Sequence, residues 1–478
     1  HTLYENTEAE YDLRFSVERD NDSYIIKYER TENLSKQETE QKGVISADIL
    51  SKENAGCGIQ DAHALRKENK DNIKYALYQL LVKLTGRTLP WGNLTGIRPA
   101  KLAMGMIESG MKNTEAAREM RERYLVSPQK TALAITIANR ERALLQDIDY
   151  EHGYSLYVGI PFCPSICLYC SFSSYPLKVW EKRTDEYVEA LCREVRETAL
   201  MMKGRKLDTI YIGGGTPTTL LPHQIRKLLD TVGEAFGYEG LAEFTVEAGR
   251  PDSITREKLE VLRKWGITRI SINPQTMQQR TLDLIGRRHS VEQTVESFKI
   301  ARELGFDDIN MDLIMGLPEE SLEDVRDTLE QIMQLKPDNL TVHSLALKRA
   351  ARLNMFKEDY KDYKMVNTQE HMDLTASYAK KMDLFPYYLY RQKGMAGNLE
   401  NVGYAKEGKA GVYNILIMEE KQTIVACGAG ASTKRVWTEP NPDGTHRIES
   451  CENVKDVGQY IERIDEMIER KQKLFAEE

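Results

Sequence analysis

No apolar run in this 478-residue chain approaches the roughly 18 residues that a membrane-crossing helix needs. The opening residues, HTLYENTEAEYDLRF, lack the basic and apolar regions of a secretory leader. Their first residue is His rather than Met, which reads as a missing start or a tag remnant. An excess of positive charge is missing too: 66 Lys and Arg stand against 74 Asp and Glu, a formal net charge of −8. That balance argues against binding nucleic acid through bulk electrostatics, while leaving room for a local basic pocket for a carboxylate-bearing small molecule. Cysteine is scarce. There are seven, an odd number, with Cys57, Cys192, Cys427 and Cys451 scattered along the chain. They form no disulfide framework, and a reducing cytoplasm is the expected location. Internal repeats and low-complexity tracts are absent.

Hydrophobic residues make up 41% of the chain, enough for a sizeable core. The length predicts about three domains, which the patterning places at 1–150, 151–350 and 351–478. Polarity alternates in YDLRFSVERD and SYIIKYER, predicting a small strand pair within residues 1–50. Helical periodicity follows from 61 to 147, interrupted by the turn-rich LPWGNLTGIRPAKL at 89–102. From 155 onward β-rich runs alternate with amphipathic stretches. The runs are SLYVGI (155–160), DTIYIG (208–213), EFTVEA (243–248), TRISIN (268–273), DINMDLIM (308–315) and NLTVHSL (339–345). Six strand–helix repeats predict an α/β fold on a parallel sheet, closed or partly closed as a barrel. Beyond 350 a helix is expected near 364–383, strand-like segments at 411–418 and 422–427, and at 453–476 a solvated amphipathic helix packing on the body.

Each unusual sequence falls at the C-terminal end of one of those strands. PFCPSICLYC follows the first, GGGTPT (213–218) the second, and Glu247 closes the third. Asn273-Pro274-Gln275 ends the fourth, while Asp312 and Gly316-Leu317-Pro318 finish the fifth. In a parallel barrel those ends share one rim, where ligands bind.

The C-x3-C-x2-C formed by Cys163, Cys167 and Cys170 offers three soft thiolates, which suits three corners of an iron–sulfur cubane with the fourth iron open to a ligand. A zinc site borrowing Cys192 or a histidine, or buried structural thiols, are the competing readings; structural zinc usually draws on paired knuckles and closes all four positions. Tyr169 and Phe172 are expected to shield such a cluster from water. Glycines 213–215 let backbone groups approach a ligand closely, and Thr216 adds a hydroxyl. Glu247 and Asp312 can accept bonds from an amine or ribose hydroxyls, and Arg287 can clamp a carboxylate in bidentate fashion. Cations for substrate carboxylates are sought at Lys348, Arg349, Arg391, Lys393, Lys434 and Arg435, each by itself an ordinary solvated charge. GAGAS at 428–432 is read as a tight turn over the barrel mouth.

YVGIPFCPSICLYCSF, YIGGGTPT, VEAGRPDSI, RISINPQT, IGRRH and DINMDLIMGLP, in that order over about 155–345, resemble the radical S-adenosylmethionine (SAM) family of oxygen-independent coproporphyrinogen III dehydrogenases. LPWGNLTGIRPAKL and PYYLYRQKGMAGNLENVGYA are similar to its HemZ-like variant and extend the likeness over most of the chain. The resemblance implies a partial (β/α)6 barrel over 151–350, with an N-terminal α+β accessory extension and a C-terminal α+β region covering the substrate. It also implies a 4Fe–4S cluster on Cys163, Cys167 and Cys170. SAM would sit against Tyr157, Gly214 and Glu247, and a second SAM at positions matched by Tyr169, Gly215, Thr216, Gln275, Arg287, Asp312 and Ala346. The implied reaction is anaerobic oxidative decarboxylation of a tetrapyrrole's propionates in heme biosynthesis, supplied with electrons by a small reductant such as flavodoxin or ferredoxin.

Two departures bear on this. Phe172 stands where the characterised dehydrogenases carry a further cysteine. The His-Asn-x-x-Tyr-Trp motif of the related heme chaperones has its nearest counterpart in Tyr413-Asn414, without the histidine. The alternatives are therefore a heme-binding trafficking protein and a radical SAM methyltransferase or ring-opening enzyme acting on a tetrapyrrole.

Overall fold

The computed structural model describes residues 13–20, 23–34, 37–48, 62–95, 98–392, 395, 399–441 and 446–476; Cys57 and Lys393 lie outside them. The chain divides into two compact units, residues 1–95 with 117–131, and residues 96–116 with 132–478.

In the first unit, β1 (Leu13–Asp20), β2 (Ser23–Leu34) and β3 (Gln37–Asp48) pair antiparallel in sequence order, one strand more than expected. A helix, Ala62–Thr85, follows. The turn after it closes on Tyr124, where Asn93 N donates to Tyr124 O at 3.0 Å. Gly92 has φ +55°, and a Cβ there would stand 2.1 Å from that same carbonyl, so the turn admits no side chain.

The second unit is built on one sheet. Its strands are β4 (Tyr154–Ile160), β7 (Leu207–Gly214), β8 (Glu243–Gly249), β9 (Arg269–Ile272), β10 (Ile309–Met315) and β11 (Asn339–Ser344), all parallel and adjacent in sequence order. A short ladder of β5 (Phe162–Cys163) and β6 (Tyr175–Pro176) stands between the first two in the chain. The six are legible as apolar runs because both faces of a parallel sheet are covered; β4, β8 and β10 are buried at all but one position each. Thr255, Ser290 and Ser321 cap three of the intervening helices through their hydroxyls.

Five further strands extend both edges. β12 (Phe385–Tyr390) and β13 (Asn401–Ala405) add antiparallel beyond β11. β14 (Thr423–Cys427) runs parallel beside β4, and β15 (Ser432–Pro440) and β16 (His446–Glu452) follow antiparallel. β12 and β16 end the sheet, so the barrel is partial. Among these five, only β14 was anticipated.

Two expectations change. Residues 411–418 do not extend the sheet: Val412–Glu419 is a helix, ended by Glu420 in the left-handed region at φ +51°. Its Ile415 and Leu416 are fully buried with Leu145, Tyr387, Tyr388 and Ala405. A short apolar run satisfies either period, and here the packing partners select the helical one. The last helix packs on the body as expected, but it breaks at Arg463 into Val457–Glu462 and Ile464–Ala476, and its buried face includes a charge, Lys471. No helix among the described residues is long and apolar enough to cross a membrane.

Candidate active site

The loop holding the three cysteines leaves β4 and is fastened on every side by backbone bonds. β5 and β6 pinch its two ends together. Leu168 N donates to Ile285 O at 3.0 Å, Gly215 N to Ile160 O at 2.7 Å, and Thr216 N to Phe162 O at 2.8 Å. The strand-end turns after β4 and β7, and the helix end at Ile285, therefore meet at this loop. Cys167 is buried and Cys163 and Cys170 half-buried. Burial pushes the Cys170 thiol up to about 11, and the neighbouring Cys167 and Cys163 add to the effect. Such a shift places the sulfurs in one another's fields.

Polar groups converge on them. Thr216 Oγ1 lies 3.6 Å from Cys163 Sγ, and two guanidiniums reach Cys167 Sγ, Arg250 Nη1 at 3.8 Å and Arg287 Nη1 at 3.9 Å. Arg250 lay within the quoted VEAGRPDSI but carried no pattern of its own. Asp252 holds it at 2.6 and 3.0 Å, and it donates to the carbonyl and hydroxyl of Ser165, both at 2.8 Å. Arg287 also donates to Asn273 O at 2.5 Å and Tyr169 OH at 3.1 Å. Tyr169 packs against Ile285, Ile314, Leu317 and Leu345, as a shield would. Phe172 does not shield: 73% of it is exposed.

Among the described residues, no three His, Cys, Asp or Glu side chains converge on a single-ion site. Cys192 is buried in the helix Thr184–Met201 with Thr231 beside its sulfur, which withdraws it as a fourth zinc ligand for this loop.

The glycine turn closing β7 leaves no room for side chains. A Cβ on Gly213 would meet the Tyr211 ring at 2.8 Å and the Glu247 carboxylate at 3.0 Å, and one on Gly215 would meet Phe162 O at 2.6 Å. Gly214 has φ +108° and lies exposed at the strand end; its N–H bonds the Glu247 carboxylate, and the missing side chain lets a ligand come close to the backbone. Below it, Tyr157, Tyr211 and Tyr413 stack, with ring centroids 6.3, 4.5 and 6.5 Å apart. Tyr211 OH donates to Glu247 Oε1 at 2.5 Å. Burial pushes the Glu247 carboxyl up to about 7, against the pull of that bond. Tyr211 went unnoticed in the sequence, and Tyr413 was noted only for its motif position beside Asn414, because tyrosines in apolar runs read as core.

Across the rim, Gln275 adopts φ +71° because both its backbone groups are committed: its N–H to Asp312 O at 2.9 Å and its carbonyl to Ile314 N at 3.0 Å. Its Oε1, the Oδ1 of Asn273 and the Nε of Arg287 are buried without hydrogen-bond partners, a combination that calls for a polar ligand. Asp312 accepts from Asn310 Nδ2 at 2.7 Å and lies 3.7 Å from His343 Nε2, whose Nδ1 is 3.4 Å from Tyr390 OH. Burial opposes its charge, yet His343, Asn310 and Thr341 hold this carboxyl below its ordinary range. Glu247 feels Asp312 directly. Ala346 bridges to Met395.

The expected cations fare differently. Lys434 pairs with Glu420 at 3.3 Å, and Arg435 stacks 3.6 Å over Trp437 and donates to Leu474 O at 2.7 Å, so both serve the C-terminal packing. Arg391 is buried, and Lys348 and Arg349 are exposed.

A thiol-bearing loop and a glycine turn on the rim of a partial barrel define a class. Residues 157–332 match the Radical SAM superfamily. The oxygen-independent coproporphyrinogen-III oxidase-like protein HemZ of Bacillus subtilis (strain 168) is 38% identical over 460 residues, 93% of this chain and 90% of its own length. The heme chaperone HemW of the same organism is 38% identical over 192 residues, 40% of this chain and half of its own. The solved structure of coproporphyrinogen III oxidase (HemN) from Escherichia coli superposes with a TM-score of 0.52 at 25% identity, covering 68% of this chain and 73% of that one. This chain belongs to the family of oxygen-independent coproporphyrinogen-III oxidase-like radical SAM proteins. A 4Fe–4S cluster and SAM are the cofactors that this membership implies. The donor set fits them: soft thiols, guanidiniums beside one of the sulfurs, and unpartnered buried amide oxygens across the rim.

Proposed function

We propose that this protein is an oxygen-independent coproporphyrinogen III dehydrogenase of the cytoplasm, converting two propionate side chains to vinyls and releasing protoporphyrinogen IX. The observation that supports this most is the meeting of the cysteine loop, the glycine turn and three strand-end carboxylate or amide groups on one rim. Each propionate gives up a hydrogen atom, carbon dioxide and one electron, which leaves a vinyl group. When bound, the cluster and SAM supply a one-electron cleavage of the sulfonium and a carbon radical able to take that hydrogen.

Cys163, Cys167 and Cys170 hold the cluster in this reading. Arg250 and Arg287 direct donors at the Cys167 sulfur, which favours the more negative, reduced state. Tyr169 excludes water on one side. Glu247, kept in place by Tyr211, accepts from the methionine amine of SAM, with Gly214 backbone and Tyr157 lining the same pocket. Gln275, Arg287 and Asp312, with Tyr169, Gly215, Thr216 and Ala346, serve a second SAM. Residues 151–350 carry the chemistry and 351–478 cover the tetrapyrrole, with a flavodoxin or ferredoxin as electron source.

A heme-trafficking role is the second reading, favoured by Phe172 in place of a further cysteine. Against it, Tyr413 is buried in the tyrosine stack and cannot offer itself to a heme. Anaerobic reconstitution with iron, sulfide, SAM and coproporphyrinogen decides among the readings. Carbon dioxide and a vinyl product are expected. A Soret-absorbing heme complex with no substrate consumption overturns the proposal, as does S-adenosylhomocysteine, the mark of methyl transfer.

A further inference from the structure

We infer that the exposed apolar strip beside the cysteine loop is the docking surface for a small acidic one-electron carrier protein; this rests on the reading of that loop as the holder of a reducible cluster. Phe172 is two residues beyond Cys170 and 73% exposed; Leu347 at 38% and Met355 at 62% are exposed on a distant segment of the chain. Isolated exposed apolar residues need no explanation. These three, however, sit on segments fastened to one loop. Lys348 Nζ stands 5.9 Å over the Phe172 ring, tying the segment of Leu347 to it. Leu353 N donates to Leu168 O at 3.0 Å, tying the helix Arg352–Met355 to the same loop. Exposed apolar side chains on segments tied to one loop and edged by charge mark an interaction site.

Charge identifies the occupant. Residues 346–356 contain Lys348, Arg349 and Arg352 and no Asp or Glu, in a chain whose net charge is −8. All three cations are exposed, and among the described residues none stands within ion-pair distance of a carboxylate. A basic strip on an acidic protein steers an acidic partner to that face and repels most other surfaces of like sign to its own. Electron transfer falls off steeply with distance, so a carrier must approach where the cluster is nearest the surface; Phe172 marks that place in the sequence. Redox encounters sit at the small end of protein interfaces, as three apolar side chains with a cationic edge require.

The test uses the full-length protein with flavodoxin and a two-iron ferredoxin as probes, and the variants Lys348→Glu/Arg349→Glu and Phe172→Ser, with thermal melting to verify folding. Titration of each oxidised carrier measures affinity without any need for a loaded cluster. In a second arm, bleaching of the reconstituted cluster is timed with reduced flavodoxin and with dithionite. The wild type is expected to bind a carrier more weakly as salt rises. The variants are expected to lose at least tenfold in affinity and in flavodoxin-driven bleaching, with dithionite bleaching unchanged. Carrier binding and bleaching unaltered in the variants overturn the inference, as does failure of both carriers to bind the wild type. A raised KM for coproporphyrinogen with carrier reduction intact would instead give the strip to the substrate, and also overturns it. Absence of any dithionite-reducible cluster refutes the cluster reading instead, and the binding arm still decides the docking surface.

Discussion

Lys471 Nζ lies 2.9 Å from Glu194 Oε1, and neither side chain is exposed to water beyond 1%. The pair fixes the C-terminal helix to the helix Thr184–Met201. Glu194 also accepts from Gly428 N at 2.8 Å, Asn453 Nδ2 at 2.7 Å and Tyr460 OH at 2.5 Å. Tyr187 continues the network, accepting from Ala429 N and donating to Gly159 O at 2.7 Å. The GAGAS turn is thus held against the end of β4, just ahead of the cysteine loop. Removing one partner strands a buried charge, so Lys471→Met is expected to cost about 3–5 kcal/mol. Urea denaturation reads this directly, and a loss below about 1 kcal/mol would show the pair to be unimportant.

Each of Cys163→Ala, Cys167→Ala and Cys170→Ala should reduce the iron and sulfide retained on anaerobic reconstitution to background. Cys192→Ala should leave both unchanged, since its sulfur faces Thr231. Metal analysis and the visible charge-transfer absorbance measure this. Zinc at one per chain, lost with Cys192, would reverse the assignment.

Glu247 titrates near 7 because it is buried. Below that pH it takes up a proton and ceases to be a charged acceptor. Affinity for SAM should therefore fall as pH drops from 8 to 6, by at most about tenfold per unit. Glu247→Gln should bind weakly and lose this pH dependence. A dependence that survives the substitution belongs to another group.

Glu141 and Glu419 are buried carboxyls, and both oxygens of Glu141 and Oε2 of Glu419 have no hydrogen-bond partner. Burial pushes Glu419 up to about 7, from an ordinary 4.5, against Lys101, Lys421 and Arg98; burial and then Glu419 raise Glu141 likewise. The folded state thus favours the neutral carboxyl. Its contribution is complete below about 4.5 and is lost as pH rises through about 7. Glu419→Gln, which cannot ionise, should gain on the wild type between pH 5 and 8, by on the order of 2 kcal/mol. Thermal midpoints compared across that range test it, and a constant difference would mean that Glu419 is already ionised in the native protein.

The six parallel strands could be read from the chain because strands covered on both faces are nearly continuous apolar runs. The rim could be read because Gly213–Gly215 and the Cys163–Cys170 loop use residue types that a plain turn does not require. The helix Val412–Glu419 could not, since its apolar run fits two periods and only contact with Tyr387, Tyr388 and Leu145 chooses between them. Phe172 reads as a shield by its place beside Cys170, and only the path of the backbone turns it outward.

By itself, then, the amino-acid order determined the parallel α/β core and the three-thiol loop with its glycine turn, because apolar periodicity and the geometry of Gly and Cys are local properties. Tertiary structure alone decided which distant groups meet. Arg250 reaches the sulfur of Cys167 from 83 residues away, and Lys471 finds Glu194 across 277. A charge that looks solvated in an amphipathic helix becomes a buried tether only when a partner waits opposite, and no spacing rule within one segment carries that information.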